Sequence, residues 1–168
     1  MDPLAGAISY REATASDVPE MVRCRVGDPT IGPADPRMAQ YMEGKHHPQH
    51  ALTPRVMFVG MERHSTIGYI GGHLTRRYDC DGELQYLYVV PQHRRNGIAS
   101  ELLALLADWF SEQNASRICV DVVPDNATAR AFYARHGAIE LSAYWMVWTD
   151  VTAVGRGKES SDDGRSRR

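Results

Sequence analysis

A chain of 168 residues fits one domain, and its 43% apolar and 24% charged residues are the balance of a folded soluble protein rather than a disordered one. A formal net charge of −2 lacks the broad basic field that nucleic-acid binding needs, so no nucleic-acid partner is expected. Three cysteines, Cys24, Cys80 and Cys119, are far apart and without CxxC spacing, which fits buried free thiols in a reduced, cytoplasmic setting.

Met1 to Ser9 carry no basic-then-apolar leader, and nothing later approaches about 18 consecutive apolar residues, so neither export nor membrane insertion is expected. Ile8 to Arg11 reads as a first strand, followed by a helix through Val18, Met21 and Val22 that Thr14, Ser16 and Asp17 can cap. Asp28 to Pro54 holds five prolines and reads as a mobile covering segment with a helix only near Met38 to Met42. Its histidines, His46, His47 and His50, lack an adjacent cysteine, and Glu43 is the one acid nearby, so a substrate-loop role is expected ahead of a metal site. Val56 to Met61 and Ile67 to Thr75 form a hairpin across Glu62 to Ser65, and Leu84 to Val90 adds a third antiparallel strand.

After Pro91 the period changes. Ile98, Leu102, Leu105, Leu106 and Trp109 recur on one face of a helix that lasts to about Glu112. Ile118 to Val123 is a buried strand broken only by Asp121, and strand, helix and strand in this order imply a right-handed crossover with parallel pairing. Asp125 and Asn126 can cap a helix running to Arg135 or His136 and ending at Gly137. Ala138 to Val151 supplies the last strands, which completes a single α+β domain with a mixed sheet over residues 8–151. From about Thr152 the tail has almost no apolar content, and 152–168 is expected to be disordered.

The chemistry concentrates in LQYLYVVPQHRRNGIASELLALL, where a strand ends at a proline and a basic, glycine-containing turn opens into an amphipathic helix. A helix start presents unpaired N–H groups and about half a positive charge, so the amides of Arg95 to Ser100 suit a phosphate. Gly97 permits close backbone approach, and the small Ala99 leaves room on the first turn. Taken alone, Asn96-Gly97 reads equally as a turn that caps the helix.

Arg94, Arg95, Asn96, Gly97, Ile98 and Ala99 match the pattern Arg/Gln-x-x-Gly-x-Gly/Ala, and Asn126-Ala-Thr-Ala-Arg-Ala-Phe-Tyr133 with Gly137 matches a second, Asn-x-x-Ala-x-x-Phe-Tyr-x-x-x-Gly. With both motifs in order, the chain from about Ile8 to Val151 resembles the GNAT superfamily of N-acetyltransferases. Position 95 departs from the glycine of many members, and position 99 from the commoner glycine. The resemblance implies acetyl-CoA as co-substrate without a metal, its pyrophosphate on the backbone of Arg94 to Ser100. It also implies that Leu87, Tyr88 and Val89 pair with the pantetheine arm by their backbone, that Asn126 binds that arm, and that Tyr133 faces the sulfur as acid.

The attacking amine must be neutral, and for a pKa of about 10.4 that costs roughly 4–5 kcal/mol at pH 7. Glu83, at the offset from Arg94 where some GNAT enzymes place a base, is the candidate general base, its alternative being a solvated strand-end carboxylate. Tyr86, Tyr88 and Trp145 line an acceptor pocket or pack the core. The implied activity is direct acetyl transfer to a primary amine of a small molecule or protein, with a homodimer compatible. The alternative is a non-catalytic acyl-CoA-binding module, against which the Tyr133 phenol weighs.

Overall fold

The computed structural model describes residues 6–154. Its elements follow the hydrophobic periods of the chain: β1 (Ile8–Glu12), α1 (Val18–Arg23), α2 (Met38–Met42), β2 (Arg55–Glu62), β3 (Ser65–Leu74), β4 (Gly82–Val89), α3 (Ile98–Glu112), β5 (Ile118–Asp121), α4 (Ala127–Arg135), β6 (Ile139–Ser142) and β7 (Trp145–Trp148). The strands form one seven-stranded sheet in the order β1-β2-β3-β4-β5-β7-β6. Every neighbouring pair is antiparallel except β4 and β5, which run parallel around the α3 crossover. The sheet is therefore mixed, as the strand–helix–strand order predicts.

One irregularity in this sheet positions the site. Gly71 lies opposite Tyr86 but Gly72 lies opposite Leu84, so Gln85 is an extra residue that bulges β4. The parallel ladder with β5 covers only Gly82–Leu84 against Ile118–Val120 and ends where the bulge begins. Beyond it β4 and β5 part, and the 86–89 backbone pairs with β3 on one side while its other side faces an open fork.

Alternation along the strands assigns the two faces. On one face Ile118 and Trp148 of the sheet share the core with Leu102, Leu106 and Phe110 of α3, all at most 1% exposed. Gly82 lies on this face, and a Cβ there would stand 2.4 Å from the Phe110 ring and 2.9 Å from Ile118. Gly82→Ala is expected to cost about 1–3 kcal/mol by overpacking, measured as a lower denaturant midpoint at unchanged slope. The opposite face carries Tyr69, Tyr86, Tyr88 and His73 under α1, α2 and their connecting segment.

Two expectations change. The segment read as a mobile cover is pinned to β3 and β4: Asp28 accepts from Tyr88, Asp35 from Tyr86, and the Tyr41 hydroxyl meets His73 Nδ1, at 2.8–2.9 Å each. Proline content signals the lack of regular structure, whereas the anchors come from strands far along the chain. The body also extends past Val151, because Val154 is 1% exposed and joins the core; the rest of the expected tail, 155–168, lies outside the described residues. Cys80 and Cys119 are buried free thiols, as expected, and share a cluster with Trp145 and Val147, while the free Cys24 is half-buried. No helix among the described residues is long and apolar enough to cross a membrane.

Candidate active site

After β4 the chain makes one turn of 3₁₀ helix, Pro91–His93, and then places Arg95 (φ 66°) and Gly97 (φ 79°) in the left-handed region before α3 begins. The first helical bond runs from Glu101 N to Gly97 O, so the backbone N–H groups of Arg95, Asn96, Gly97, Ile98, Ala99 and Ser100 meet no acceptor among the described residues. Six consecutive donors at a helix start form an anion cradle. No atom stands within 4 Å of a Cβ built on Gly97, so the cradle opens outward there. Ile98 anchors the turn in the core at 3% exposure, and the Ser100 hydroxyl meets His136 Nε2 at 3.0 Å, tying α3 to α4.

Arg94 behaves differently from its neighbours. Its N–H donates to Pro91 O, its Nε to Val89 O at 2.9 Å, and its Nη2 to Asp28 at 2.7 Å. Its side chain thus links strand β4 to the covering segment instead of pointing into the cradle.

Asn126 caps α4, its Oδ1 accepting from Ala129 N at 3.1 Å, and it is exposed at the edge of the fork. Two turns later Tyr133 is 7% exposed and packs edge-on against Trp148 with centroids 5.5 Å apart. Its hydroxyl has no hydrogen-bond partner among the described residues, and burial raises its pKa, so it is a protonated donor at neutral pH. Leu87, Tyr88 and Val89 form the open side of β4, as required of a backbone that pairs with an extended ligand.

Glu83 is not a solvated strand-end carboxylate. It is 4% exposed, with Oε2 2.9 Å from His73 Nε2 and Oε1 3.5 Å from Arg77 Nη1. The His73 approach is too bent for a linear hydrogen bond, whereas His73 Nδ1 meets the Tyr41 hydroxyl at 2.8 Å. A buried chain Arg77–Glu83–His73–Tyr41 results. The glycine and aspartate before Glu83 suggest solvent, but His73 from β3 and Arg77 from the following turn enclose its carboxylate.

Beside this chain opens a cleft of about 980 Å³, lined by Arg76, Arg77, Tyr78, Asp121, Tyr144 and Trp145 with the 49–52 loop. Arg77 lies over the Trp145 ring at 4.6 Å and donates to Gln49 O at 2.9 Å. Of the aromatic residues considered for an acceptor pocket, Trp145 lines this cleft, while the phenols of Tyr86 and Tyr88 are spent on Asp35 and Asp28. In sequence Asp121 reads as a break in an apolar strand, and a single acid at the end of such a strand is the signal that points to it. His46 and His47 are held by Arg55, through the His46 carbonyl at 2.6 Å and His47 Nδ1 at 2.7 Å, and His50 borders the cleft. No grouping among the described residues is suited to a metal ion.

The profile of the acetyltransferase (GNAT) family matches residues 27–138, which span β2 to β5, the cradle and α4. The chain belongs to this family. Comparison with curated proteins gives no match. Among solved structures, a GNAT-family acetyltransferase from Desulfovibrio desulfuricans superposes with a TM-score of 0.68 at 18% identity, over 86% of this chain and 99% of that one. The ribosomal-protein-S18-alanine N-acetyltransferase of Escherichia coli gives 0.65 at 16% identity, over 84% and 93%. PaiA N-acetyltransferase of Thermoplasma acidophilum, a complex with coenzyme A, gives 0.61 at 13%, over 84% and 98%. These likenesses establish the GNAT fold. Within it the unpaired donors open α3 directly after the free side of β4, Asn126 caps α4, Tyr133 packs on Trp148, and Glu83 is buried beside His73 and Arg77.

Proposed function

We propose that the chain is an acetyl-CoA-dependent N-acetyltransferase that moves an acetyl group directly to a primary amine of a small molecule or a protein. The observation that carries this reading is the run of six backbone donors at the start of α3 that meet no acceptor among the described residues, directly after a strand whose 86–89 backbone β5 leaves unpaired; the Tyr133 phenol, kept protonated by burial, supports it. GNAT relatives support it: one holds coenzyme A, and another is named for a protein alanine.

Acetyl-CoA, when bound, supplies an acetyl group activated as a thioester. The chain's own residues do the rest. The cradle of Arg95 to Ser100 neutralises the pyrophosphate and fixes depth; the 87–89 backbone and the Asn126 amide hold the arm extended; Tyr133 keeps a proton at Oη for the leaving sulfur. Glu83 acts as a fixed negative charge behind the site, its oxygens held by His73 and Arg77, with water between it and any proton it receives.

Binding to the folded cradle stabilises the fold, so acetyl-CoA at about 100 times its dissociation constant is expected to add roughly 2.7 kcal/mol. Calorimetry checks this directly. Absence of saturable binding together with an unmoved melting temperature would overturn the reading.

A further inference from the structure

We propose that Asp121 receives the acceptor's ammonium group and takes its proton, and that the cleft selects a primary amine that also carries a carboxylate, held by Arg76. This deepens the acetyl-transfer reading and rests on it.

Three observations converge on Asp121. It is the last residue of β5, one position past Val120, where pairing with β4 stops, so it stands at the mouth of the fork. It lines the cleft, and no hydrogen bond or ion pair occupies its carboxylate among the described residues. It also faces away from Tyr133. Tyr133 packs on Trp148, whose partner is Ile118, whereas Asp121 shares the side of Cys119 and Glu83. An amine arriving from the cleft therefore comes from the Glu83 side of the sheet while the phenol lies on the Trp148 side, so the base and the acid do not compete for one position. Glu83 is less suited to this place, because it is 4% exposed behind His73 and Arg77, whereas the Asp121 carboxylate opens onto the cleft.

The charges around the cleft define the acceptor. Arg77 is matched by Glu83, and its guanidinium covers Trp145. Arg76 is exposed and has no ion pair among the described residues, which leaves one acid and one arginine across the cavity. Tyr78, Tyr144 and Trp145 add ring surface that suits the acceptor's body and the approach of an ammonium. The groups facing Asp121 are Glu83 from β4, Arg76, Arg77 and Tyr78 from the preceding turn, His50 from the 49–52 loop, and Tyr144. Burial and the Glu83 charge push the Asp121 carboxyl up, against the opposing pull of Arg77. That makes it a better base than an ordinary carboxylate.

The balance of the step is simple. One proton leaves the ammonium for Asp121 and passes to water through the open cleft. The freed lone pair forms the N–C bond as the C–S bond breaks, the sulfur takes the Tyr133 proton, and the second nitrogen proton replaces it. The products are an amide, a thiol and one released proton.

The test uses saturating acetyl-CoA with α-amino acids, each beside its own carboxamide and its decarboxylated amine, reading thiol release. Wild-type protein is expected to favour the acid over the carboxamide by about tenfold or more in kcat/KM. Arg76→Gln should raise KM for the acids and bring that ratio toward one. Asp121→Asn should lower kcat about 10²–10⁴-fold for every acceptor, at unchanged acetyl-CoA affinity and melting temperature, and should lose the acidic limb of the rate profile. Equal rates for acids and carboxamides, full activity in Asp121→Asn, or bound acetyl-CoA with no acceptor turned over would each overturn the proposal. Failure to bind acetyl-CoA at all would instead overturn the acetyl-transfer reading beneath it.

Discussion

Replacing Tyr133 by phenylalanine is expected to lower turnover about 10²–10⁴-fold, roughly 3–5 kcal/mol of barrier, while acetyl-CoA affinity stays unchanged. The substitution keeps the ring that packs against Trp148 and removes only a hydroxyl that has no hydrogen-bond partner among the described residues. Stability should therefore hardly move, which separates a lost proton donor from a lost packing residue. The direction of its pKa matters here. Burial favours the neutral phenol, so the donor is present throughout pH 6–9 and the defect should be flat across that range. Pre-steady-state measurement of acetyl transfer checks it without interference from slow product release. Full activity in the phenylalanine variant would make Tyr133 a packing residue.

Gly97→Glu should abolish acetyl-CoA binding, by at least about 100-fold or 2.7 kcal/mol, in a protein that remains folded. The new carboxylate enters the cradle of amides from Arg95 to Ser100 and competes with the pyrophosphate for the same donors. The space around Gly97 is open, so the folded state loses only the cost of a side chain at φ 79°, about 1–2 kcal/mol. Gly97→Ala carries that same backbone cost without charge or reach. Titration calorimetry on both variants separates the two effects, since alanine should weaken binding far less than glutamate. Equal affinities for the two would place the pyrophosphate elsewhere.

Local signals were legible in the sequence wherever the physics is local. The period of apolar residues and the glycine before Ile98 predict α3 with its observed bounds, and Asn126 predicts the cap of α4. The two motifs on these helix starts carry the cradle and Tyr133 for the same reason. What was not legible depends on strands meeting across long separations. Glu83 reads as a surface acid until His73 and Arg77, from β3 and the turn after it, close on its oxygens. The cleft is assembled from the 49–52 loop, the turn after β3, the end of β5 and the β6–β7 turn, and no single segment contains its pattern. Asp121 belongs to this second class, since its neighbours in sequence are apolar and its neighbours in space are charged.

Asp28 accepts from both Tyr88 and Arg94, and Arg94 in turn holds Val89 O at the end of the strand that leads into the cradle. The covering segment and the phosphate loop are therefore joined through one guanidinium, and a shift of that guanidinium is felt on both sides. The covering segment runs on through Tyr41, which meets His73, to the 49–52 loop that borders the cleft, so ligands in the cleft and at the start of α3 bear on one connected structure. By thermodynamic reciprocity, whatever factor bound acetyl-CoA introduces into the affinity for the acceptor, the acceptor must introduce into the affinity for acetyl-CoA. Substituting Asp28 by asparagine weakens the joint without touching either ligand, and it is expected to bring that shared factor closer to one in paired titrations.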